Sequence, residues 1–232
     1  MITHIYFSDL HDNRDGVSEN LRQIVHRAKA LRCRLYSNGD LINILPLGPD
    51  GWEKWLKEFE ELLDGYPILV LGGNHDPYRY LKRLFCDMPN VTVKRRENLP
   101  NGVHLRHGHS WSPDWWLLRH VAPAIVEFMV DYFPKPWYWF SKKMGWIPSE
   151  LKEEGLPKKR KYTKQVNWLW RKGMAYAERH EVTVVLGHTH CQGGSVGKPG
   201  VTFVMDCGAA KDGDYLIHDT QGIERCNLYD EV

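Results

Sequence analysis

The chain has 232 residues, 42% hydrophobic and 26% charged, which is normal for a globular protein with one substantial core or at most two small ones. The formal net charge of +2 is too small to indicate a nucleic-acid partner by itself. The five scattered cysteines form no C-x-x-C pair, so we expect a reducing, intracellular setting rather than a disulfide framework. The first residues do not resemble a signal peptide, and charges interrupt the long apolar segment 115–130, so we expect no membrane span.

Strand and helix patterns alternate through the first half of the chain. Helical spacing of apolar residues predicts helices over 17–31 and 52–63. Short apolar runs predict strands at 2–7, 34–37, 68–71, 91–93, 103–107 and 182–186. The tail from residue 195 onward is punctuated by glycines, as antiparallel hairpins are. This order predicts a single α/β domain, 1–232, around one or two mixed sheets.

The segment 110–180 differs from the rest of the chain in composition. It holds eight of the ten tryptophans and the basic stretches "SKKMGW" and "LPKKRKYTK". We interpret it as a helical insert between two strands of the core. Aromatic and basic side chains together are typical of segments at a membrane surface, but tryptophans that pack the insert against the core would give the same composition.

Polar side chains follow the predicted strands at the points where the strands end. In an α/β sheet, residues just beyond the carboxyl ends of strands gather at one rim, where ligands bind. Imidazole, carboxylate and amide groups together suit a pair of divalent ions such as Mn²⁺, Fe²⁺ or Zn²⁺, and the imidazoles argue against a purely Mg²⁺ or Ca²⁺ site. The candidate ligands are Asp9, His11, Asp40, Asn74, His107, His188 and His190.

Five short blocks resemble, in order, the signature of the calcineurin-like metallophosphoesterase superfamily. The signature is D-x-H, G-D-x-x-D/N, G-N-H-D/E, H-G and G-H-x-H, and the chain has "SDLH", "NGDLIN", "GGNHD", "HGH" and "GHTH". The blocks extend from Asp9 to His190, so the resemblance covers nearly the whole chain. It implies a four-layer α-β-β-α sandwich with mixed sheets, a helical cap formed by 110–180, and hydrolysis of a phosphoester.

The resemblance also implies a role for each candidate residue. His75 would protonate the leaving oxygen or stabilise the charge there, and Asp76 would orient the His75 ring. Asn43, at the end of the G-D-x-x-D/N block, would support the loop on which it lies rather than bind a metal. Arg14 and His109 are candidates for substrate binding from their positions alone, since Arg14 follows the first block and His109 ends the fourth. One metal would be held by Asp9, His11, Asp40 and His190, and the other by Asp40, Asn74, His107 and His188. We expect Mn²⁺, with Fe²⁺, Zn²⁺ or Ni²⁺ as alternatives.

Two metals sharing a carboxylate imply a specific hydrolytic chemistry. They lower the pKa of a bound water from about 15.7 towards 7 and offset the negative charge of the phosphoryl oxygens. We therefore expect a hydroxide that bridges the metals to attack phosphorus in line, without a phospho-enzyme intermediate. General-acid help to the leaving group typically contributes about 10²–10⁴-fold.

The sequence is compatible with more than one class of substrate. The position of the insert is similar to that in the UDP-2,3-diacylglucosamine pyrophosphatase-like group, which implies a lipid–nucleotide pyrophosphate as substrate. With this substrate, we expect a cytoplasmic protein that contacts the inner face of the membrane peripherally. Those enzymes, however, generally carry arginine where His75 stands.

Three other functions therefore remain as hypotheses. One is a nucleic-acid or small-molecule phosphodiesterase or nuclease, with the basic stretch 158–164 as a backbone groove. Another is a phosphomonoesterase similar to the protein phosphatases. A non-catalytic scaffold is the last, and such proteins usually lack one or more of the ligands. The sequence indicates no obligate protein partner.

Overall fold

The protein is described by a computed structural model that covers residues 2–47, 50–111, 159–196 and 203–230, with six isolated positions between 125 and 136. Two mixed sheets and the helices that pack against them make up this part of the chain, so the predicted α/β class is confirmed. No helix within these residues is long and apolar enough to cross a membrane.

The secondary structure follows the sequence pattern closely. The helices are α1 (Glu19–Leu31), α2 (Ile44–Leu47), α3 (Glu53–Leu63), α4 (Tyr78–Leu84) and α5 (Lys159–His180), with a 3₁₀ helix at Ala210–Asp212. The strands are β1 (His4–Phe7), β2 (Arg34–Ser37), β3 (Ile68–Leu71), β4 (Val91–Lys94), β5 (Arg96–Asn98), β6 (Val103–Arg106), β7 (Thr183–Leu186), β8 (Gly193–Val196), β9 (Phe203–Asp206), β10 (Asp214–His218) and β11 (Ile223–Asn227).

Both sheets combine parallel and antiparallel pairs. The six-stranded sheet has the order β11-β10-β1-β2-β3-β4, with β1 to β4 parallel and β10 antiparallel to both of its neighbours. The five-stranded sheet has the order β5-β6-β7-β9-β8, in which β6, β7 and β9 are parallel. The predicted hairpin pattern of the tail is seen in the β8–β9 and β10–β11 pairs.

Helix α1 shows how local signals set a boundary. Its apolar residues recur at helical spacing, and Leu21, Ile24 and Ala28 are fully buried. The side chain of Ser18 accepts a hydrogen bond from the amide of Leu21, so the helix begins at Glu19, two residues later than the apolar pattern predicts. It ends where Arg32 adopts a left-handed conformation.

Alternation of side chains along the strands shows the layers. In β1, Ile5 belongs to the core that the first sheet forms with α1 and α3, whereas Tyr6 belongs to the core between the two sheets. In β7, Val185 faces the first sheet, and Val184 packs with residues of α5 on the outer side. The order of layers is therefore helix, sheet, sheet, helix, as the resemblance implied. The extent of the 110–180 insert and its role as a cap lie mostly outside the described residues.

One buried side chain joins the two sheets at the rim where the strands end. Asn38 directly follows β2, and its Nδ2 donates to the carbonyl oxygens of Arg106, at 3.2 Å, and of Val185, at 3.0 Å. These acceptors lie at the ends of β6 and β7, in the other sheet. Because the contact fastens strand ends that are far apart in sequence, it fixes the relative position of the loops that follow them.

Candidate metal centre

The seven predicted ligands lie in loops at one rim of the two sheets, and the structure brings them together. Two groups of donors match the two predicted metal positions, and in each group the ligand atoms lie within 4.8 Å of one another. A third group of the same kind connects them and includes His75. The groups are Asp9 with His11 and His190; Asp40 with His107 and His188; and His11 with Asp40 and His75.

The first donor group is compact. His190 Nε2 lies 3.3 Å from Asp9 Oδ1 and 3.3 Å from His11 Nε2. His11 Nε2 also lies 3.9 Å from Asp9 Oδ1 and 3.9 Å from Asp40 Oδ2. Two imidazole nitrogens and a carboxylate oxygen of Asp9 thus lie close together, with Asp40 beside His11, which is the arrangement that a cation bound by oxygen and nitrogen needs.

The second donor group shares Asp40 with the first. His107 Nε2 lies 3.2 Å from Asp40 Oδ2 and 3.1 Å from Asn74 Oδ1. The rings of His107 and His188 meet edge to face, with 5.3 Å between their centroids. Asp40 Oδ2 therefore faces ligand nitrogens of both groups, which is the position that a bridging carboxylate would occupy.

The backbone of the site is strained at its ligands. Eight non-glycine residues in the described part of the chain have positive φ, and five of them are candidate ligands. Such conformations cost energy and persist only where the surrounding structure fixes them, and they concentrate at functional sites. The five are Asp9, His11, Asp40, His188 and His190.

Gly73 shows how closely the chain packs against the bridging carboxylate. A Cβ atom at this position would lie 2.0 Å from Asp40 Oδ1 and 2.5 Å from the Asp40 backbone nitrogen. Only glycine avoids that overlap. Glycine at position 73 therefore lets the loop after β3 approach the Asp40 carboxylate.

The electrostatics of the site favour positive charge between the carboxylates. Burial alone would raise the pKa of Asp40, but the neighbouring imidazoles, His107 foremost, hold it well below its usual range. Burial would lower the pKa of His107, but the carboxylate of Asp40 raises it to about 10. A buried carboxylate such as that of Asp40, which stabilises a proton on His107, would also stabilise a metal cation. Protons and metal ions therefore compete for the same side chains.

The donor set fits the divalent metals that the resemblance implies. Asp9 Oδ1 and His188 Nε2 are buried atoms with no hydrogen-bond partner among the described residues. Buried polar atoms are expensive to leave unsatisfied, and a cation in each donor group would satisfy the atom that belongs to that group. Burial also lowers the pKa of His11 and of His188 to about 4, so both rings are neutral at pH 7, as metal ligands must be.

Asn43 holds the His75 ring. Its side-chain oxygen lies 3.0 Å from His75 Nδ1 and 3.1 Å from His11 Nδ1, while its Nδ2 donates to the His11 carbonyl at 2.8 Å. Because the amide oxygen only accepts, both rings carry a proton on Nδ1. In the neutral form of each ring, Nε2 is then the nitrogen without a proton.

The role expected for Asp76 requires a correction. Its carboxylate is fully buried and accepts backbone amides, at 3.0 Å from Asp40 and 2.7 Å from Leu41, rather than contacting the ring of His75. Asp76 therefore fixes the loop that carries Asp40, and Asn43 orients the ring. The sequence signal for Asn43 was its place at the end of the G-D-x-x-D/N block.

The two candidate substrate residues lie in different places. Arg14 donates to the carbonyl of Leu47, and its guanidinium lies 5.9 Å from the centroid of the Trp52 ring. The ring of His109 lies 5.5 Å from that of His107, and its Nδ1 is buried without a hydrogen-bond partner among the described residues. Substrate binding by either residue stays a prediction.

A pair of residues that the sequence did not single out supports the last motif. Thr189 stands between the ligands His188 and His190, and its hydroxyl donates to Asp206 Oδ2 at 2.7 Å. The other Asp206 oxygen accepts the amide of Gly208 at 3.1 Å. No local pattern links Thr189 to Asp206, because Thr189 lies in the loop after β7 and Asp206, 17 positions later, ends the neighbouring strand β9.

Comparison with solved structures gives distant matches along the whole chain. An archaeal phosphodiesterase is 16% identical over 97% of this chain and 99% of its own, with a TM-score of 0.49. A protein from Thermus thermophilus is 14% identical over 98% and 99%, with a TM-score of 0.50. A dimetal phosphatase from Danio rerio is 11% identical over 98% of each chain, with a TM-score of 0.44. No curated protein sequence matches the chain.

The family comparison covers most of the chain. The family model described as calcineurin-like phosphoesterase matches residues 3–192, a range that includes all seven candidate ligands. Membership implies divalent metals, for which the two donor groups supply candidate ligands. The chain therefore belongs to the calcineurin-like phosphoesterase family, whose members act on phosphoester bonds.

Proposed function

We propose that this protein hydrolyses a phosphodiester or pyrophosphate bond with the help of two divalent metal ions, Mn²⁺ in the first place. The observation that carries the proposal is the pair of donor groups that share Asp40, with the His75 ring beside them. The first group comprises Asp9, His11 and His190. The second comprises Asn74, His107 and His188.

Bound metals would supply Lewis-acid activation of water and of the phosphoryl oxygens. The chain supplies the rest. Asn43 accepts the Nδ1 proton of His75 in a hydrogen bond, so the Nε2 atom of that ring is the one that meets the leaving oxygen. A phosphate beside the ring favours its protonated form, in which Nε2 can donate a proton to the leaving group.

The substrate that we propose is a lipid-linked nucleotide pyrophosphate or a similar phosphorylated molecule, met at the cytoplasmic face of a membrane. Support comes from the composition of the insert, in which aromatic residues stand beside basic ones. Four of its apolar side chains are about half exposed: Ile125 at 51%, Phe128 at 50%, Tyr132 at 46% and Phe133 at 53%. Exposed apolar groups of this kind suit contact with acyl chains.

A substrate panel tests the proposal. The purified protein is assayed with Mn²⁺ and after chelation on p-nitrophenyl phosphate, bis-p-nitrophenyl phosphate, UDP-sugars with and without acyl chains, and single-stranded DNA. We expect turnover of the diester or the UDP-sugars that chelation abolishes and Mn²⁺ restores. Faster cleavage of acylated UDP-sugars in detergent or vesicles would support the lipid substrate, and salt-sensitive cleavage of DNA would favour a nuclease.

Matched variants make the test specific. Asp40→Asn removes the charge of the bridging carboxylate, and we expect at least about a 10²-fold loss of turnover because the metal contribution is lost. Asp15→Asn, an exposed substitution of the same kind, is the control and keeps parental activity. Turnover that survives chelation, or an Asp40→Asn variant as active as the control, would contradict the proposed mechanism.

A further inference from the structure

The loop between β7 and β8 carries one candidate ligand of each donor group. Thr189 separates the two, with His188 before it and His190 after it. His188 belongs to the second donor group and His190 to the first. Because a single residue lies between these ligands, the conformation of this loop sets the distance between a ligand of one group and a ligand of the other.

The backbone of this loop is strained on both sides of Thr189. The φ angles are 76° at His188 and 53° at His190, in the left-handed region that residues with a Cβ atom rarely adopt. Neighbouring groups must hold such a backbone in place. The amide of His188 donates to Asp9 Oδ2 at 2.8 Å, which holds the beginning of the loop. The middle of the loop needs a contact of its own.

The side chain of Thr189 makes that contact. Its hydroxyl donates to Asp206 Oδ2 at 2.7 Å, a distance typical of a hydroxyl donor and a carboxylate. The same hydroxyl oxygen accepts the amide of Cys191 at 3.1 Å. Asp206 is fully buried, and Thr189 is only 4% exposed. One side chain therefore ties the loop to the protein interior and also holds the turn that follows.

Asp206 is a well-fixed anchor for this contact. It ends β9, which lies between β7 and β8 in the second sheet, and it pairs with Leu186, the last residue of β7. Its Oδ1 accepts the amide of Gly208 at 3.1 Å, so both of its side-chain oxygens have a partner. The second sheet therefore fixes the oxygen that holds Thr189.

We infer that Thr189 is a positioning residue for both metal ions, because its hydrogen bond to Asp206 holds His188 and His190 at the spacing that the two ions need. The inference rests on the proposed function, since it takes the two donor groups as metal sites. Thr189 differs from the ligands in that its hydroxyl is bonded to Asp206. Loss of this hydroxyl should therefore weaken the binding of both ions together, whereas loss of either histidine removes a ligand from one donor group.

Two substitutions of Thr189 separate the hydroxyl from the shape of the side chain. Thr189→Val has nearly the same shape but no hydroxyl, and Thr189→Ser keeps the hydroxyl without the methyl group. Calorimetric Mn²⁺ titration of protein freed of metal by chelation and dialysis measures the affinity for each of the two ions. We expect Thr189→Val to weaken both by about tenfold or more, as loss of a group that orients metal ligands does, and Thr189→Ser to stay within about threefold of the parent.

Two further variants complete the test. Thr92→Val, the same substitution at an exposed position of β4, should bind Mn²⁺ as the parent does. Thr189→Ala also lacks the hydroxyl and decides the question if Thr189→Val fails to fold. Parental Mn²⁺ affinity in a folded variant without the hydroxyl, weakening of only one of the two ions, or an equal loss in Thr189→Ser would overturn the inference. Failure of both hydroxyl-free variants to fold would make the role of Thr189 purely structural and overturn it as well.

Metal binding and catalysis are measured separately. Turnover of bis-p-nitrophenyl phosphate by the Mn²⁺-loaded parent reports on the proposed function. Turnover by the parent together with parental Mn²⁺ affinity in Thr189→Val would remove the positioning role and leave the hydrolase intact. A joint loss of affinity for both ions in Thr189→Val, without turnover of any ester by the parent, would establish the positioning role and refute the hydrolase. A parent that binds no second Mn²⁺ ion would refute both.

Discussion

The carboxylate of Asp76 should be among the main stabilising groups of this fold. Its Oδ1 accepts the amides of Gly73 at 2.9 Å and of Asp40 at 3.0 Å, and its Oδ2 accepts those of Leu41 at 2.7 Å and of Ile42 at 3.2 Å. In Asp76→Asn one of the two oxygens becomes an NH₂ group. Whichever way the side chain turns, this NH₂ group faces two backbone N–H groups, which are also donors, so their two hydrogen bonds are lost.

The magnitude follows from the number of bonds lost. Two hydrogen bonds to a charged acceptor are removed, each of which contributes about 1.5–3 kcal/mol. Burial, together with the neighbouring Asp40, raises the pKa of Asp76 well above its usual range. Burying this charge costs free energy, and that cost offsets part of the stabilisation from the hydrogen bonds. We therefore expect Asp76→Asn to lower the free energy of unfolding by about 3 kcal/mol.

Urea unfolding followed by tryptophan fluorescence measures the effect. Chelated protein is used so that metal binding does not contribute to the free energy of unfolding. Asp15→Asn is the control, because an exposed carboxylate of this kind should change stability by less than about 0.5 kcal/mol.

One pattern of results would refute this reasoning. A loss of stability below about 1 kcal/mol would show that the four backbone contacts contribute little. If activity were then lost while stability was kept, Asp76 would act on the His75 ring, as the motif alone implied. A large loss of stability supports the loop-fixing role instead.

Three further substitutions test the site. His75→Gln should lower turnover by about 10²–10⁴-fold at unchanged metal content, because it removes the proton donor. Gly73→Ala should weaken Mn²⁺ binding by at least about tenfold, since its Cβ would lie 2.0 Å from Asp40 Oδ1. Asp206→Asn should abolish a loss of stability with pH. Burial, together with Asp9, raises the pKa of Asp206 from 3.8 to about 7. Between pH 3.8 and 7 the Asp206 carboxyl is therefore ionised in the unfolded chain but protonated in the folded protein. The free energy of unfolding then falls as pH rises through this range, by at most roughly 4 kcal/mol.

Each of these expectations has its own check. Metal content by mass spectrometry accompanies the His75→Gln kinetics, and loss of metal in that variant would make the ring a ligand. Calorimetric Mn²⁺ titration of Gly73→Ala that matches the parent would show that the loop can move away from Asp40. For Asp206→Asn, urea unfolding of chelated protein from pH 4 to pH 8 should give a flatter profile than the parent, and two parallel profiles would contradict the assignment.

The sequence by itself determined the elements and the candidate ligands. The apolar runs that end at Asp9, Asp40, Asn74, His107 and His188 are strands, and the polar residue after each strand lies at the rim. These features were predictable because they are local. A strand shows in its hydrophobic run, and parallel strands place their carboxyl ends on the same side.

Only the tertiary structure decided which side chains touch. Asp76 binds the loop of Asp40 rather than the neighbouring His75, and Asn38, which follows a strand of the first sheet, binds the ends of two strands of the second. Such contacts depend on how the two sheets pack and on which way each loop turns after its strand. No periodicity in the sequence encodes that geometry, because it arises from packing between segments far apart along the chain.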